Sequence, residues 1–145
     1  MSKTKILFLC NGNSCRSKIA EAWTREMYPE YEVFSAGIEP HAVNQYAVKV
    51  MQEKNISLSH VTQKIESFSQ KELDYVITVC DKASQKCPVK FEGVQILHRN
   101  FSGPSQLAKT KESEDEKLEC YRTTRDEIHC FIQDLPKFLA SSSKS

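Results

Sequence analysis

Cys10 and Arg16 bracket the polar stretch Cys10-Asn11-Gly12-Asn13-Ser14-Cys15-Arg16-Ser17, which follows directly on an apolar run. A turn through those residues brings a thiol and a guanidinium onto one small anion, with backbone N–H groups converging on the same point. Each residue type has a chemical use there. The thiolate of Cys10 is a nucleophile, favoured by a neighbouring cation and a helix N-terminus at some cost in intrinsic nucleophilicity. Arg16 offers planar, paired donors to a tetrahedral oxyanion. Gly12 is expected to take a backbone conformation that other residues resist, and the Ser17 hydroxyl can hydrogen-bond the thiolate or a leaving sulfur. The stretch is suited to phosphate-like anions. A buried, inert cysteine at a strand end is the plain alternative, but it accounts for neither the arginine nor the polar loop.

The chain holds 6 cysteines. Cys80 closes a second apolar run, and Cys87 follows across the polar stretch Asp81-Lys82-Ala83-Ser84-Gln85-Lys86. Zinc would ask for a closer knuckle and a second ligand pair, which do not follow, so no metal and no cofactor is expected. Cys15 could pair with Cys10 or fill space under the loop, packing being the simpler reading. Cys120 and Cys130 fall near opposite faces of the last helix and read as packing or surface residues. His98 reads as structural, Arg125 as a half of an ion pair, and the acidic run Glu112–Glu116 as a solvated helix start.

These residues need a frame. Lys5–Cys10 is a short continuous apolar run, the pattern of a strand buried on both faces of a parallel sheet. Ile19, Ala20, Trp23 and Met27 then recur at helical spacing, with Pro29 just past the end. Tyr31–Ala36 reads as a second strand, Val43, Ala47, Val50 and Met51 as a second helical stripe, Asp74–Cys80 as a third strand and Val94–Leu97 as a fourth. Leu118, Tyr121, Arg125, Ile128, Ile132, Leu135 and Leu139 mark one long C-terminal helix, interrupted in pattern only by Pro136. Alternating strands and helices predict an α/β fold: a four-stranded parallel sheet in flavodoxin-like order with helices on both faces. In that order the first and third strands are neighbours, about 4.8 Å apart, so Cys10 and Cys80 share one edge of the sheet. Residues 1–139 form the expected single domain and 140–145 a disordered polar tail.

Composition sets the outer limits. A chain of 145 residues buries a core without a disulfide or metal staple. A net charge of +1 supplies no field for nucleic acid or a membrane surface. No apolar run approaches transmembrane length and no export signal precedes the first strand, so a cytoplasmic setting with reduced thiols is expected.

Cys-x5-Arg-Ser directly after the first strand resembles the phosphate-binding loop of the low-molecular-weight protein tyrosine phosphatases, a superfamily that includes the thioredoxin-coupled arsenate reductases. The resemblance extends to Ser35-Ala36-Gly37, Val76–Cys80, Cys87-Pro88-Val89 and Arg122–Ile128, nearly the whole chain, and the Cys80 and Cys87 pair makes the reductases the more similar branch. It implies arsenate reduction with Cys10 as nucleophile, Arg16 and the loop Asn11–Ser17 as oxyanion holders, and a Cys10-Cys80-Cys87 relay recycled by a thioredoxin-type donor. A tyrosine phosphatase and a weakened oxyanion or redox sensor are the alternatives.

Two departures from the family pattern stand out. Where the superfamily usually has an Asp before a Pro as general acid, this chain has Phe101-Ser102-Gly103-Pro104. An ester substrate suffers most from that loss, while arsenate exchanges its oxygens more readily and could draw on water or on the Glu112–Glu116 run. Some reductases also build a monovalent-cation site on residues matching Asn13, Glu21 and Ser35. Lys64 stands where they place a carboxylate, and its ammonium is expected either to replace the cation, with no potassium requirement, or to lie exposed on a loop.

Overall fold

The computed structural model describes residues 3–59, 61–68, 72–80 and 93–142. Four strands, β1 (Thr4–Cys10), β2 (Tyr31–Gly37), β3 (Tyr75–Thr78) and β4 (Gln95–His98), form one sheet in the order β2-β1-β3-β4. Every pairing is parallel: β1 meets β2 from Thr4↔Tyr31 to Cys10↔Gly37, β3 from Ile6↔Tyr75 to Leu9↔Thr78, and β3 meets β4 from Tyr75↔Gln95 to Thr78↔His98. Five consecutive residues of β1, Ile6 to Cys10, are buried. Since successive side chains of a strand point to opposite faces, both faces of the sheet are covered there, as a central parallel strand requires.

Five α-helices are present among the described residues: α1 (Arg16–Met27), α2 (Gln45–Gln52), α3 (Pro104–Ala108), α4 (Glu114–Gln133) and α5 (Leu135–Ser142). Helix α1 buries Ile19, Ala20 and Trp23, the apolar stripe seen in the sequence. Helix α2 starts later than its stripe suggests. Val43 is buried ahead of it, and Asn44 takes the N-cap, its side chain accepting from Tyr46 N and Ala47 N. The acidic run opens α4 as expected: Ser113 caps it by accepting from Glu116 N at 3.2 Å, and Glu114, Asp115 and Glu116 occupy the positive first turn.

The C-terminal segment departs from the single helix expected. It breaks at Asp134, whose N–H turns back to Phe131 O and Ile132 O, and resumes as α5. Pro136 lies in the first turn of α5, where its missing N–H leaves nothing unpaired; inside one continuous helix it would have cost a bond and clashed with the preceding turn. Leu135 and Leu139 stay buried, so the apolar stripe survives the break. Residues 140–142 close the last turn of α5 instead of beginning a tail. No helix among the described residues is long and apolar enough to cross a membrane.

Candidate active site

The loop from Cys10 to Arg16 connects the buried end of β1 to α1. The segment after β2 shapes it: Ile38 N, Glu39 N, His41 N and Asn44 N donate to the carbonyls of Cys10, Asn11, Gly12 and Ser14 at 3.2, 2.8, 2.9 and 2.9 Å. A trans peptide sets its N–H opposite its C=O, so the amides of Asn11, Gly12, Asn13 and Cys15 face the other way. One of them shows where they point, since Asn13 N–H reaches Cys10 Sγ at 3.2 Å. The Ser17 hydroxyl lies 2.9 Å from the same sulfur. Helix α1 carries no side-chain cap, so its first-turn amides remain available to an anion.

Asn13 is the keystone of this turn. It is fully buried and left-handed, with φ of 51°, a conformation asparagine tolerates better than most residues. Its amide donates to Ser17 Oγ at 2.9 Å, and its Oδ1 accepts from Gln63 N at 2.9 Å. The left-handed residue is therefore Asn13 and not Gly12, which corrects the expectation for that glycine. Gly12 sits close under the His41 ring: a Cβ on it would stand 2.8 Å from His41 Cδ2 and 3.2 Å from Ser14 Oγ, so the exposed His41 side chain would have to shift to admit one.

An open cavity of about 490 Å³ adjoins the loop, lined by Asn11, Gly12, Ser14 and Arg16 on one side and by Asn100–Gly103 on the other. Arg16 Nη1 donates to Phe101 O at 2.8 Å, which braces the guanidinium at the edge of this cavity. Cys80, buried, also lines it, two residues past the end of β3, where Val79 N continues the ladder to Leu9 O at 2.9 Å. The strand order thus brings Cys10, Arg16 and Cys80 to one corner. Cys87 lies outside the described residues.

Other thiols take bland roles. Burial and the neighbouring Cys10 push the Cys15 thiol up to about 12, so it stays protonated near neutrality. Cys120 is buried in α4 and Cys130 exposed. His98 bonds Thr78 Oγ1 at 2.6 Å, on the sheet and not at the cavity. Arg125 is buried against Glu53 Oε1 and Asp126 Oδ1, each at 2.8 Å, and against Val50 O. Among the described residues no three His, Cys, Asp or Glu side chains converge as a metal site.

No carboxylate lines the cavity among its described residues. The acidic run does not supply one: Glu114 accepts from Tyr46 OH at 2.8 Å and Glu116 from Ser113 Oγ at 3.1 Å, both engaged at the start of α4.

The expectation that Lys64 replaces a cation also needs correcting. Its backbone bridges Gly37 and its side chain is exposed. Among the described residues the buried ammonium is that of Lys18, 2% exposed, which donates to Val61 O. Burial lowers its proton affinity, against the pull of Glu21. Glu21 itself accepts from Ser35 Oγ at 2.8 Å and pairs with Arg25 at 2.9 Å. Sequence reading passed over Lys18 because a lysine two residues after the loop arginine looks like an exposed helix residue. It also passed over His41, whose approach to Gly12 depends on a fold contact between separate segments.

A loop of this shape, closing on a cysteine sulfur at the carboxyl edge of a parallel sheet, defines the class of oxyanion-handling cysteine enzymes. Within that class the chain belongs to the low molecular weight phosphotyrosine protein phosphatase family, which it matches over residues 5–143. The arsenate reductase of Bacillus licheniformis is 43% identical to it over 130 residues, covering 88% of this chain and 91% of that protein. Two solved structures share a TM-score of 0.73 at 22% identity. An arsenate reductase from Archaeoglobus fulgidus covers 90% of this chain and 97% of its own, and a tyrosine phosphatase from Erwinia amylovora covers 99% and 95%. Likeness of fold alone therefore does not separate reductase from phosphatase.

Proposed function

We propose that the protein is an arsenate reductase that uses Cys10, Cys80 and Cys87 in succession. The observation that carries this reading over its phosphatase rival is a second buried thiol, Cys80, at a cavity shared with Arg16 and without a lining carboxylate among the described residues. The identity to an arsenate reductase over most of the chain supports it.

Arsenate enters the loop with its oxygens on Arg16 and the inward amides. Cys10 thiolate attacks arsenic, an As–S bond forms, and one oxygen leaves as water after taking up protons. Cys80 thiolate then attacks the Cys10 sulfur: the S–S bond forms, the As–S bond breaks, and its electron pair goes to arsenic, which leaves as arsenite. Cys87 attacks the Cys80 sulfur, freeing Cys10 thiolate and leaving a Cys80–Cys87 disulfide for a thioredoxin-type dithiol to reduce. The Ser17 hydroxyl and Asn13 N–H aim the sulfur at the start of the cycle. A cytoplasmic setting suits this chemistry, because the thiols must be reduced between turnovers.

The test is arsenate-dependent oxidation of NADPH with thioredoxin and its reductase, run beside an aryl phosphatase assay. Multiple turnovers in the first are expected. Turnover in the second alone would establish the phosphatase in its place.

A further inference from the structure

Lys18 is a charged side chain, buried and outside the lining of the cavity that holds Arg16 and Cys80, which calls for a reason. Its ammonium donates to Val61 O. Two residues along, Gln63 N donates to Asn13 Oδ1 at 2.9 Å and Gln63 O accepts from Gly37 N at 2.8 Å, so this segment ties the end of β2 to the left-handed residue of the loop. Asn13 in turn holds both partners of the sulfur: its side chain donates to Ser17 Oγ, and its own N–H reaches Cys10 Sγ. A continuous chain of hydrogen bonds and two covalent steps thus runs from the ammonium to the nucleophile.

We propose that Lys18 is a positioning residue for Cys10, acting through the 61–63 segment and Asn13. The inference rests on Cys10 being the nucleophile of the proposed reaction. A neutral side chain could fill the same volume, but it could not hold a carbonyl with a charge-assisted bond, which is roughly twice as strong as a neutral one. The charge is compensated locally by Glu21, whose attraction raises the proton affinity that burial lowers, and Arg25 opposes it. Losing the ammonium would leave Val61 O without its donor and free the segment to move. Asn13 would then lose the fixed donor, Gln63 N–H, that keeps its amide on Ser17, and the Cys10 sulfur would sample other directions.

The wild type is compared with Lys18→Met and Lys18→Arg. Three quantities are read: the rate of Cys10 alkylation by iodoacetamide at neutral pH, followed by peptide mass spectrometry; hydrogen exchange of the Gln63 amide; and kcat and KM for arsenate. Lys18→Met is expected to slow Cys10 alkylation by about tenfold or more, the order of loss for a slightly misplaced reacting group. It should speed Gln63 exchange by about tenfold while the Leu7 and Phe8 amides stay protected, and it should lower kcat more than it alters KM. Lys18→Arg should restore most of the rate, since a cavity of about 220 Å³ beside Lys18 can take the larger head group. If Lys18→Met does not fold, Lys18→Gln, uncharged and shorter, carries the same measurements. Wild-type Cys10 alkylation and Gln63 exchange in either folded neutral variant would overturn the proposal, as would an arginine variant as impaired as the neutral ones. Alkylation needs no arsenate, so absence of reductase activity in the wild type would count against the proposed reaction and leave this test intact.

Discussion

Gly37 stands so close beneath Asn13 that a Cβ on the glycine would lie 2.8 Å from the Asn13 backbone nitrogen, and within 2.9 Å of Asn11 O and Gly12 C. The contact is backbone against backbone, so no side chain can swing aside. Position 37 ends β2, beside Cys10 in the ladder, and the anion loop rests on it. Gly37→Ala is therefore expected to displace the loop, cutting turnover by about a hundredfold and destabilising the fold by about 1–3 kcal/mol through overpacking. Steady-state rates beside a chemical denaturation curve check this. An alanine variant with wild-type turnover would mean the loop is not held by this contact.

Gly103, by contrast, has room. Its φ of −76° is ordinary, and a Cβ there would meet Gln106 Cγ at 3.7 Å and Arg16 Cζ at 3.8 Å, normal contact distances. Gly103→Asp should fold, because aspartate is also a favoured N-cap for α3. It would place a carboxyl at the cavity edge. Cleavage of aryl phosphates should then rise by up to about 10²–10⁴, and arsenate turnover by much less, since the ester depends more on leaving-group protonation. Equal responses in the two assays would show that another group already delivers the proton.

The relay makes a stoichiometric prediction. Cys80→Ser should stop arsenite release. Cys87→Ser, given arsenate and no reductant, should release about one arsenite per chain and stall with Cys10 joined to Cys80, as one thiol pair permits. Peptide mapping after arsenate treatment should instead find Cys80 joined to Cys87 in the wild type. Repeated turnovers with thioredoxin after loss of either thiol would refute the sequence of steps.

Glu53 links α2 to α4 by accepting from Arg122 and Arg125. Arg122 above all, then Arg125, holds its carboxyl at about 2, below the ordinary 4.5. A depressed carboxylate contributes stability in full above the unfolded value and loses it as pH falls through the folded one. The Glu53 contribution should thus be complete at neutral pH and fade between about 4.5 and 2. Glu53→Gln should lower Tm by a few degrees at most at pH 7, since Glu53 is 37% exposed and solvent screens the pair. The gap between the two proteins should close on acidification, and a gap that widened would reverse the assignment.

Much of this protein was legible in its one-dimensional pattern. The unbroken run before Cys10 identifies a strand covered on both faces, the helical stripes follow from spacing alone, and alternation of the two leads to the parallel order that sets β3, which Cys80 follows, next to β1, which Cys10 ends. The loop was legible because its chemistry is local: thiol, arginine and polar turn are consecutive, and nearby backbone geometry alone can bring them together. Pro136 was visible but its effect was not, since whether a proline kinks a helix or begins a new one depends on what the flanking leucines can bury. Tertiary structure alone decided which residue turns left-handed, that Gly37 is required for clearance and Gly12 faces His41, that the acidic run is engaged elsewhere, and that Lys18 and not Lys64 is the buried lysine among the described residues. Each of these depends on a distance between segments far apart in the chain, 13 to 37 or 18 to 61. Residue type and spacing carry no information about such a distance until the sheet and its crossovers have closed.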